Sequence, residues 1–225
     1  MTHLISYGRL RITTIVLSVM ALTVSQTVIS QEISGETCGD PFNNGVGPFD
    51  YTDPKDRGTS DRIPIVEAYH FNAKVESLQG GMSSAHVMDD LDYTLRAVPN
   101  HHRALYAVAK HQLQVGVENM RPRTAECYFE RAITFRPRDS NVHLVFGIFL
   151  QQSGKESASE AQYLRAIEID ESSAEAYYNL GLLYLEMGKN DKALTSARMA
   201  YDLGYPLQGL KNMLIRSGDW EDRPE

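Results

Sequence analysis

Cysteine is scarce in this sequence, and basic residues do not outnumber acidic ones. The 225 residues include two cysteines and no Cys-x-x-Cys pair. The His-Glu-x-x-His, Gly-x-Ser-x-Gly, Walker and Rossmann patterns are also missing, so the usual short signatures of zinc proteases, serine hydrolases and nucleotide-binding enzymes are not found. With 22 Lys and Arg against 29 Asp and Glu, the chain lacks the basic excess that binding to a nucleic-acid backbone requires. We therefore expect no nucleic-acid partner.

The N-terminus has the pattern of an export signal. Arg9 and Arg11 precede an apolar stretch at 12–22, and the small residues within 28–30 suit a signal-peptidase site. The prediction is a signal peptide over residues 1–30, cleaved before Gln31. An uncleaved membrane anchor is the alternative, although polar residues interrupt the apolar run and disfavour a stable span. The expected location is the periplasm or the exterior.

The remainder of the chain repeats itself. Residues 174–206 read as two amphipathic helices joined by a polar turn, and the preceding 34 residues align beneath them. This shift places Gly181 on Gly147 and Ala200 on Ala166, so small residues recur where two helices would approach closely. A third, weaker copy begins near residue 102, and its internal loop is four residues longer.

This pattern resembles the tetratricopeptide repeat (TPR) over residues 85–216. The resemblance implies an all-α, TPR-type helix-turn-helix solenoid of about three repeats, preceded by a half repeat and closed by a C-terminal capping helix. The predicted segments are a signal peptide (1–30), an extended N-terminal arm (31–62), a short helix and incomplete repeat (63–101), three TPR-like repeats (102–205), and a capping helix and tail (206–225).

The amino-acid sequence of several segments is also similar to that of a group of exported bacterial TPR proteins. The similarity lies in CGDPFNNGVGPFDYTDP, PIVEAYHF, DLDYTLRAVPNHHRAL and CYFERAITFRP. It implies an exported protein with this architecture and adds no chemistry.

In TPR solenoids the first helix of each repeat lines a concave groove, and the family register assigns four groove positions to each repeat. A groove of this composition suits an extended or helical peptide with apolar anchors. The predicted groove residues are Arg103, Tyr106, Lys110, Gln114, Asn141, Leu144, Ile148, Gln151, Tyr178, Asn179, Leu182 and Glu186.

The two cysteines and the composition of the arm indicate how the arm is held. In an oxidising compartment Cys38 and Cys127 are expected to pair, although two separate thiols are the alternative. The arm carries Phe42, Phe49 and Tyr51 among turn-forming residues, which is more typical of a docked segment than of a free linker. The arm could itself cover the apolar part of the groove.

The histidines near "PNHHR" are the remaining candidate for chemistry. His101 and His102 fall at a junction between repeats, where Asn100 is expected to cap the next helix and the imidazoles to reach solvent. Adjacent helical residues point about 100° apart, so the two imidazoles are poorly placed to share one metal ion. The acidic stretch 89–92 is expected to be a solvated helix face.

We therefore predict a non-catalytic protein-interaction scaffold of the periplasm or envelope. The expected partner is a protein or peptide bound in the groove, with no cofactor, no metal and no stable membrane span after signal cleavage. The alternative is a metal-dependent or enzymatic module built from the arm and the His101/His102 junction.

Overall fold

A computed structural model describes residues 38–220. This range is all-helical, as predicted, with eleven α-helices, one short 3-10 helix at Val117–Asn119 and no strand. The predicted signal peptide and the first residues of the arm lie outside the described range. The helices are α1 (Pro54–Gly58), α2 (Ile63–His70), α3 (Ala73–Glu76), α4 (Val87–Ala97), α5 (His102–Val115), α6 (Ala125–Phe135), α7 (Ser140–Gln152), α8 (Glu156–Ile169), α9 (Ala174–Glu186), α10 (Asn190–Asp202) and α11 (Gly209–Ser217).

Local sequence explains where several of these helices begin. The Thr124 hydroxyl accepts a hydrogen bond from the backbone N–H of Cys127 at the start of α6. The Asp139 carboxylate does the same for the N–H groups of Asn141 and Val142 in α7. These side chains satisfy backbone donors that the first turn of a helix leaves without a partner.

The turns inside the last two hairpins each use a glycine in the left-handed region. Gly154 follows α7 with φ 71°, and Gly188 follows α9 with φ 69°. A side chain with a Cβ atom is disfavoured there, so glycine is the suitable residue. The two turns are related by the 34-residue shift seen in the sequence.

Three helix pairs, α5/α6, α7/α8 and α9/α10, stack in order along the chain. Glycines permit the closest approaches between their helices. A Cβ atom on Gly147 would lie 2.6 Å from the ring of Tyr163 in α8, and one on Gly181 would lie 2.5 Å from Leu210 in α11. The glycines at equivalent repeat positions therefore admit a large side chain from a neighbouring helix.

The apolar core has two main parts. Around α4 to α7, Phe129 is fully buried and its ring stacks on Phe146 with centroids 4.6 Å apart. Around α7 to α11, the closing helix contributes Leu210 and Leu214, both with no exposed surface. The predicted capping helix thus covers the apolar end of the last repeat, as a solenoid requires.

The incomplete repeat contributes to the first part of the core and also forms a third, smaller apolar cluster. Ile63 and Val66 of α2 contact Ala97 and Val98 at the end of α4 in a small apolar cluster.

Among residues 38–220, no helix combines the length and the apolarity needed to cross a membrane.

Candidate functional site

The N-terminal arm is attached to the second helix of the first repeat. Cys38 and Cys127 form a disulfide in the structure, with Cα atoms 5.0 Å apart. Beside it, Nη1 of Arg131 donates to the carbonyl oxygens of Cys38, at 3.3 Å, and of Gly39, at 2.9 Å. The start of the arm is therefore held by a covalent bond and by a buried guanidinium group.

Two aromatic residues of the arm, Phe42 and Phe49, contact the C-terminal ends of second helices. The Phe42 ring lies 5.6 Å from that of Phe135 at the end of α6, and the Phe49 N–H donates to the carbonyl oxygen of Ala97 at 2.8 Å. Beyond Arg103, none of the predicted groove residues has a hydrogen bond or ring contact with residues 38–62. The described part of the arm therefore does not fill the groove.

Asn100 binds the arm and does not cap α5, contrary to expectation. Its fully buried amide donates to Asp50 at 2.8 Å and to Asp139 at 2.9 Å, and its oxygen accepts from the N–H of Tyr51 at 2.9 Å. Burial alone would raise the pKa of Asp50, but the hydrogen bonds led by that of Arg136 lower it to about 2. A charged carboxylate of the arm is thus held at the repeat junction.

His101 is the residue that caps α5, and it is fully buried, so the expectation of solvent access is wrong for it. Its Nδ1 accepts from the N–H of Ala104 at 3.2 Å, which leaves Nε2 to donate to Glu67 at 3.0 Å. The rings of Tyr51 and Phe71 pack on the imidazole, with centroids at 4.2 and 4.6 Å. Burial lowers the pKa of His101, so the neutral imidazole is the favoured form.

The other histidines near the junction bind separate carboxylates. Nε2 of His102 lies 2.8 Å from Asp139, and Nδ1 of His70 lies 2.8 Å from Asp90. Within residues 38–220, no group of three or more His, Cys, Asp or Glu side chains is arranged to hold a metal ion.

The acidic stretch 89–92 is a solvated face only at Asp89, which is exposed, and the expectation is wrong for Asp90 and Asp92. Asp90 is completely buried and accepts hydrogen bonds from the N–H of Met82 at 2.5 Å and from His70 at 2.8 Å. Asp92 accepts from Arg123 at 2.7 Å. Asp90 therefore holds the incomplete repeat together internally, whereas Asp92 joins it to the loop before α6.

The predicted groove residues all lie on α5, α7 and α9, but they differ in exposure. The exposed ones are Arg103, Tyr106, Lys110, Gln114, Asn141 and Glu186. The half-buried ones are Ile148, Gln151, Asn179 and Leu182, and the buried ones are Leu144 and Tyr178.

Arg103, a predicted groove residue, is exposed but already paired within the chain. Its guanidinium group makes two hydrogen bonds to Glu76 of α3, one of them from Nε at 2.8 Å. It also lies over the ring of Phe71, 5.3 Å from the centroid. This paired geometry raises the pKa of Arg103 and neutralises that end of the groove.

Leu144 and Tyr178 belong to the core, so their predicted contact with a partner is wrong. Leu144 is 4% exposed and Tyr178 is 8% exposed. The Tyr178 ring packs against Tyr205, with centroids 4.3 Å apart, and its hydroxyl lies close to Gly209. The segment that leads into α11 therefore covers this position.

Gln151 and Glu186 are linked to each other across the groove. The Gln151 amide donates to Glu186 at 2.8 Å and accepts from the Tyr163 hydroxyl at 2.8 Å. Their side chains are partly committed to joining repeats. The binding of the arm by Asn100, and the hydrogen bonds of Asp139 to Asn100 and of Glu67 to His101, were not predicted. A polar residue directly after Pro99 was the available signal.

Comparison with known families identifies the repeats. A family model described as TPR repeat matches residues 150–188, and one described as tetratricopeptide repeat matches residues 174–203. The chain carries tetratricopeptide repeats. Among curated proteins, the human protein O-mannosyl-transferase TMTC3 is 26% identical over 102 residues, which is 45% of this chain and 11% of the relative. The mouse protein of the same name is 27% identical over 95 residues, 42% of this chain and 10% of the relative.

Solved structures share the TPR fold at low identity. The MamA protein aligns with a TM-score of 0.50 and 18% identity, over 70% of this chain and 83% of that one. PilF of Pseudomonas aeruginosa gives a TM-score of 0.50 and 18% identity, over 70% of this chain and 68% of that one. The chain spans about a tenth of the length of the curated TMTC3 relatives, so their name assigns it no activity. The TPR repeats make the protein an interaction scaffold.

Proposed function

We propose that this TPR protein is a non-catalytic scaffold of the bacterial periplasm or envelope that binds a peptide or protein segment along α5, α7 and α9. One observation carries the proposal. The described arm is bound to the second helices and to the start of α5, whereas Tyr106, Lys110 and Gln114 remain exposed at four-residue spacing farther along α5. Tyr106 has 46% of its surface exposed, so its ring is accessible to a partner.

The chemistry of this surface suggests the kind of segment it binds. Lys110 is exposed, and no described carboxylate lies within ion-pair distance of it, so it can pair with an acidic group of the partner. Ile148 and Leu182 are half-buried and offer apolar contact area farther along. An amphipathic segment with an apolar or aromatic anchor and a nearby acidic residue fits this order of groups.

The proposed location rests on the sequence. The positive, apolar and small-residue order of residues 1–30 is typical of an export signal, and the resemblance to exported bacterial TPR proteins agrees with it. The Cys38–Cys127 disulfide of the structure would be maintained in an oxidising compartment.

The experiment compares two double variants of the mature chain in capture from envelope extract. Tyr106→Ala/Lys110→Glu changes the first-helix surface. Leu164→Ala/Arg216→Glu makes comparable changes on α8 and α11, where Leu164 is 47% exposed and Arg216 is exposed with no ion pair among the described residues. The expected result is a partner retained by the wild type and the control and lost by the α5 variant.

Capture that is equal for both double variants would contradict the proposed surface. N-terminal sequencing of the protein from the periplasmic fraction tests the location separately, and the expected first residue is Gln31. An intact N-terminus in a cytoplasmic fraction would contradict export while leaving the groove experiment valid.

A further inference from the structure

Three arginines meet where the arm joins the second helices. Arg96 comes from α4, Arg123 from the loop before α6, and Arg131 from α6 itself. Together with residues 39–45 of the arm they line a cavity of about 260 Å³. This concentration of positive charge stands out in a chain with a formal net charge of −7.

The charges of these arginines are only partly compensated. Asp92 is shared, since it accepts from Nε of Arg96 at 2.8 Å and from Nη1 of Arg123 at 2.7 Å. Asp40 also lines the cavity, but it is exposed and its carboxylate accepts from the backbone N–H of Phe42 at 2.8 Å. Three guanidinium groups therefore face two carboxylates, one of which lies at the rim.

Arg131 has hydrogen-bonding capacity that the described chain does not use. The residue is only 3% exposed, and its Nη1 is committed to the carbonyl oxygens of Cys38 and Gly39. Its Nε and Nη2 atoms are buried and have no acceptor among residues 38–220. Buried guanidinium donors without an acceptor are costly, and a bound water or anion is one way to satisfy them.

We propose that this cavity, the arginine pocket, binds a tetrahedral oxyanion group such as phosphate or sulfate. The three guanidinium groups that line the cavity come from a helix, a loop and a second helix, and together they offer more donors than the two oxygens of a carboxylate can accept. The volume also exceeds that of a single carboxylate group. An anion here would attract Arg96, Arg123 and Arg131 together, and it would offset the repulsion between Arg123 and Arg131.

The inference is independent of the proposed groove, because the arginine pocket lies on the second-helix side. It connects the anion to the arm, since Arg123 and Arg131 also donate to the carbonyl oxygen of Cys38. Anything that binds only the folded, docked state stabilises that state by mass action. Phosphate is therefore expected to raise the melting temperature of the protein.

The test is calorimetric titration of the disulfide-intact protein with sodium phosphate, methyl phosphate and sodium acetate at constant ionic strength. Two variants perturb the pocket while sparing the buried Arg131. Arg96→Gln removes a guanidinium whose side chain is 41% exposed, and its matched control is Arg165→Gln on α8, at 38% exposed. Gly45→Glu adds a carboxylate at the rim, and its matched control is Gly58→Glu. At both glycines a Cβ atom would meet nothing within 4 Å.

The expected result is phosphate binding by the wild type and both controls, weakened about tenfold or more by Arg96→Gln and Gly45→Glu, because each change removes or opposes a charge-assisted contact. Binding of methyl phosphate as well would support a site for a terminal phosphoryl group. Binding of inorganic phosphate alone would support a site for the free anion. The proposal is overturned by an absence of binding, by equal binding to all variants, or by acetate binding as tightly as phosphate.

Discussion

A buried neutral imidazole at residue 101 makes stability depend on pH. His101 caps α5 through Nδ1 and donates from Nε2 to Glu67, a pair of roles that the neutral ring satisfies. Burial lowers the pKa of His101 in the folded protein below the usual 6.5. The unfolded chain therefore takes up the proton more readily, so stability is fully present above pH 6.5 and is lost as the pH falls below it.

The variant His101→Asn keeps a capping acceptor and removes the titrating ring. We expect it to lower the free energy of unfolding by roughly 1–3 kcal/mol at pH 7.5 and to flatten the loss between pH 7 and 5, as measured by urea unfolding. His111, whose pKa burial also lowers, keeps part of the slope. The exposed His86→Gln is the control. A variant with the wild-type slope would show that His101 does not titrate in this range.

At the scale of elements, Gly181 determines how closely α11 approaches α9. A Cβ atom there would lie 2.5 Å from Leu210, a fully buried side chain of the closing helix. Gly181→Ala is expected to destabilise the protein by about 1–2 kcal/mol net, because overpacking outweighs the helix-propensity gain of roughly 1 kcal/mol. Thermal unfolding measures the effect.

Gly58→Ala serves as the control, because it makes the same change in α1 with nothing within 4 Å of the new Cβ atom. Hydrogen exchange provides a second readout, and faster exchange in α11 than in α5 is expected for Gly181→Ala. Unchanged protection of α11 would mean that the helix adjusts without loss.

The repeats were predictable because their signal is local and periodic. Gly147 and Gly181 recur at the shift that relates Gly154 to Gly188, and each has a steric reason within the hairpin or its neighbour. Exposure on a single helix face was less predictable. Leu144 occupies a groove register but is buried in the core that α7 shares with α9 to α11, which the helix pattern alone does not reveal.

For Arg103 and Tyr178, too, the helix pattern alone does not reveal whether the side chain is free. Arg103 is paired with Glu76, whose helix packs onto the start of α5, and Tyr178 is covered by Tyr205 and the segment before α11. Glu76 comes from the incomplete repeat, and Tyr205 from the loop that follows the last repeat helix. A family register assigns a side chain to a face, but the irregular segments at either end decide whether that face is open.

At the scale of the whole molecule, the Cys38–Cys127 disulfide closes a loop with a sequence separation of 89. On the chain-entropy model a loop of this length stabilises the folded state by roughly 4 to 5 kcal/mol. Reduction, or the Cys38→Ser/Cys127→Ser variant, is expected to lower the melting temperature and to expose the arm to proteases. Denaturation and limited proteolysis with and without reductant measure both effects.

The double-serine variant in the absence of reductant is the control for the reduced wild type, and the two are expected to agree. Equal stability of the oxidised and reduced proteins would indicate that the buried contacts of Arg131 and Asn100 suffice to hold the arm.

The same disulfide divides the molecule mechanically. Tension applied between residue 38 and the C-terminus would bypass the 89-residue separation between the cysteines, because the load passes directly from Cys38 to Cys127. At about 3.5 Å per extended residue, roughly 300 Å of contour length bears none of the applied force. The incomplete repeat and α5 would bear no load. The chain from Cys127 onwards, which includes α7 to α11, would extend. A partner pulling on the chain would thus unravel one end of the solenoid and leave the other folded.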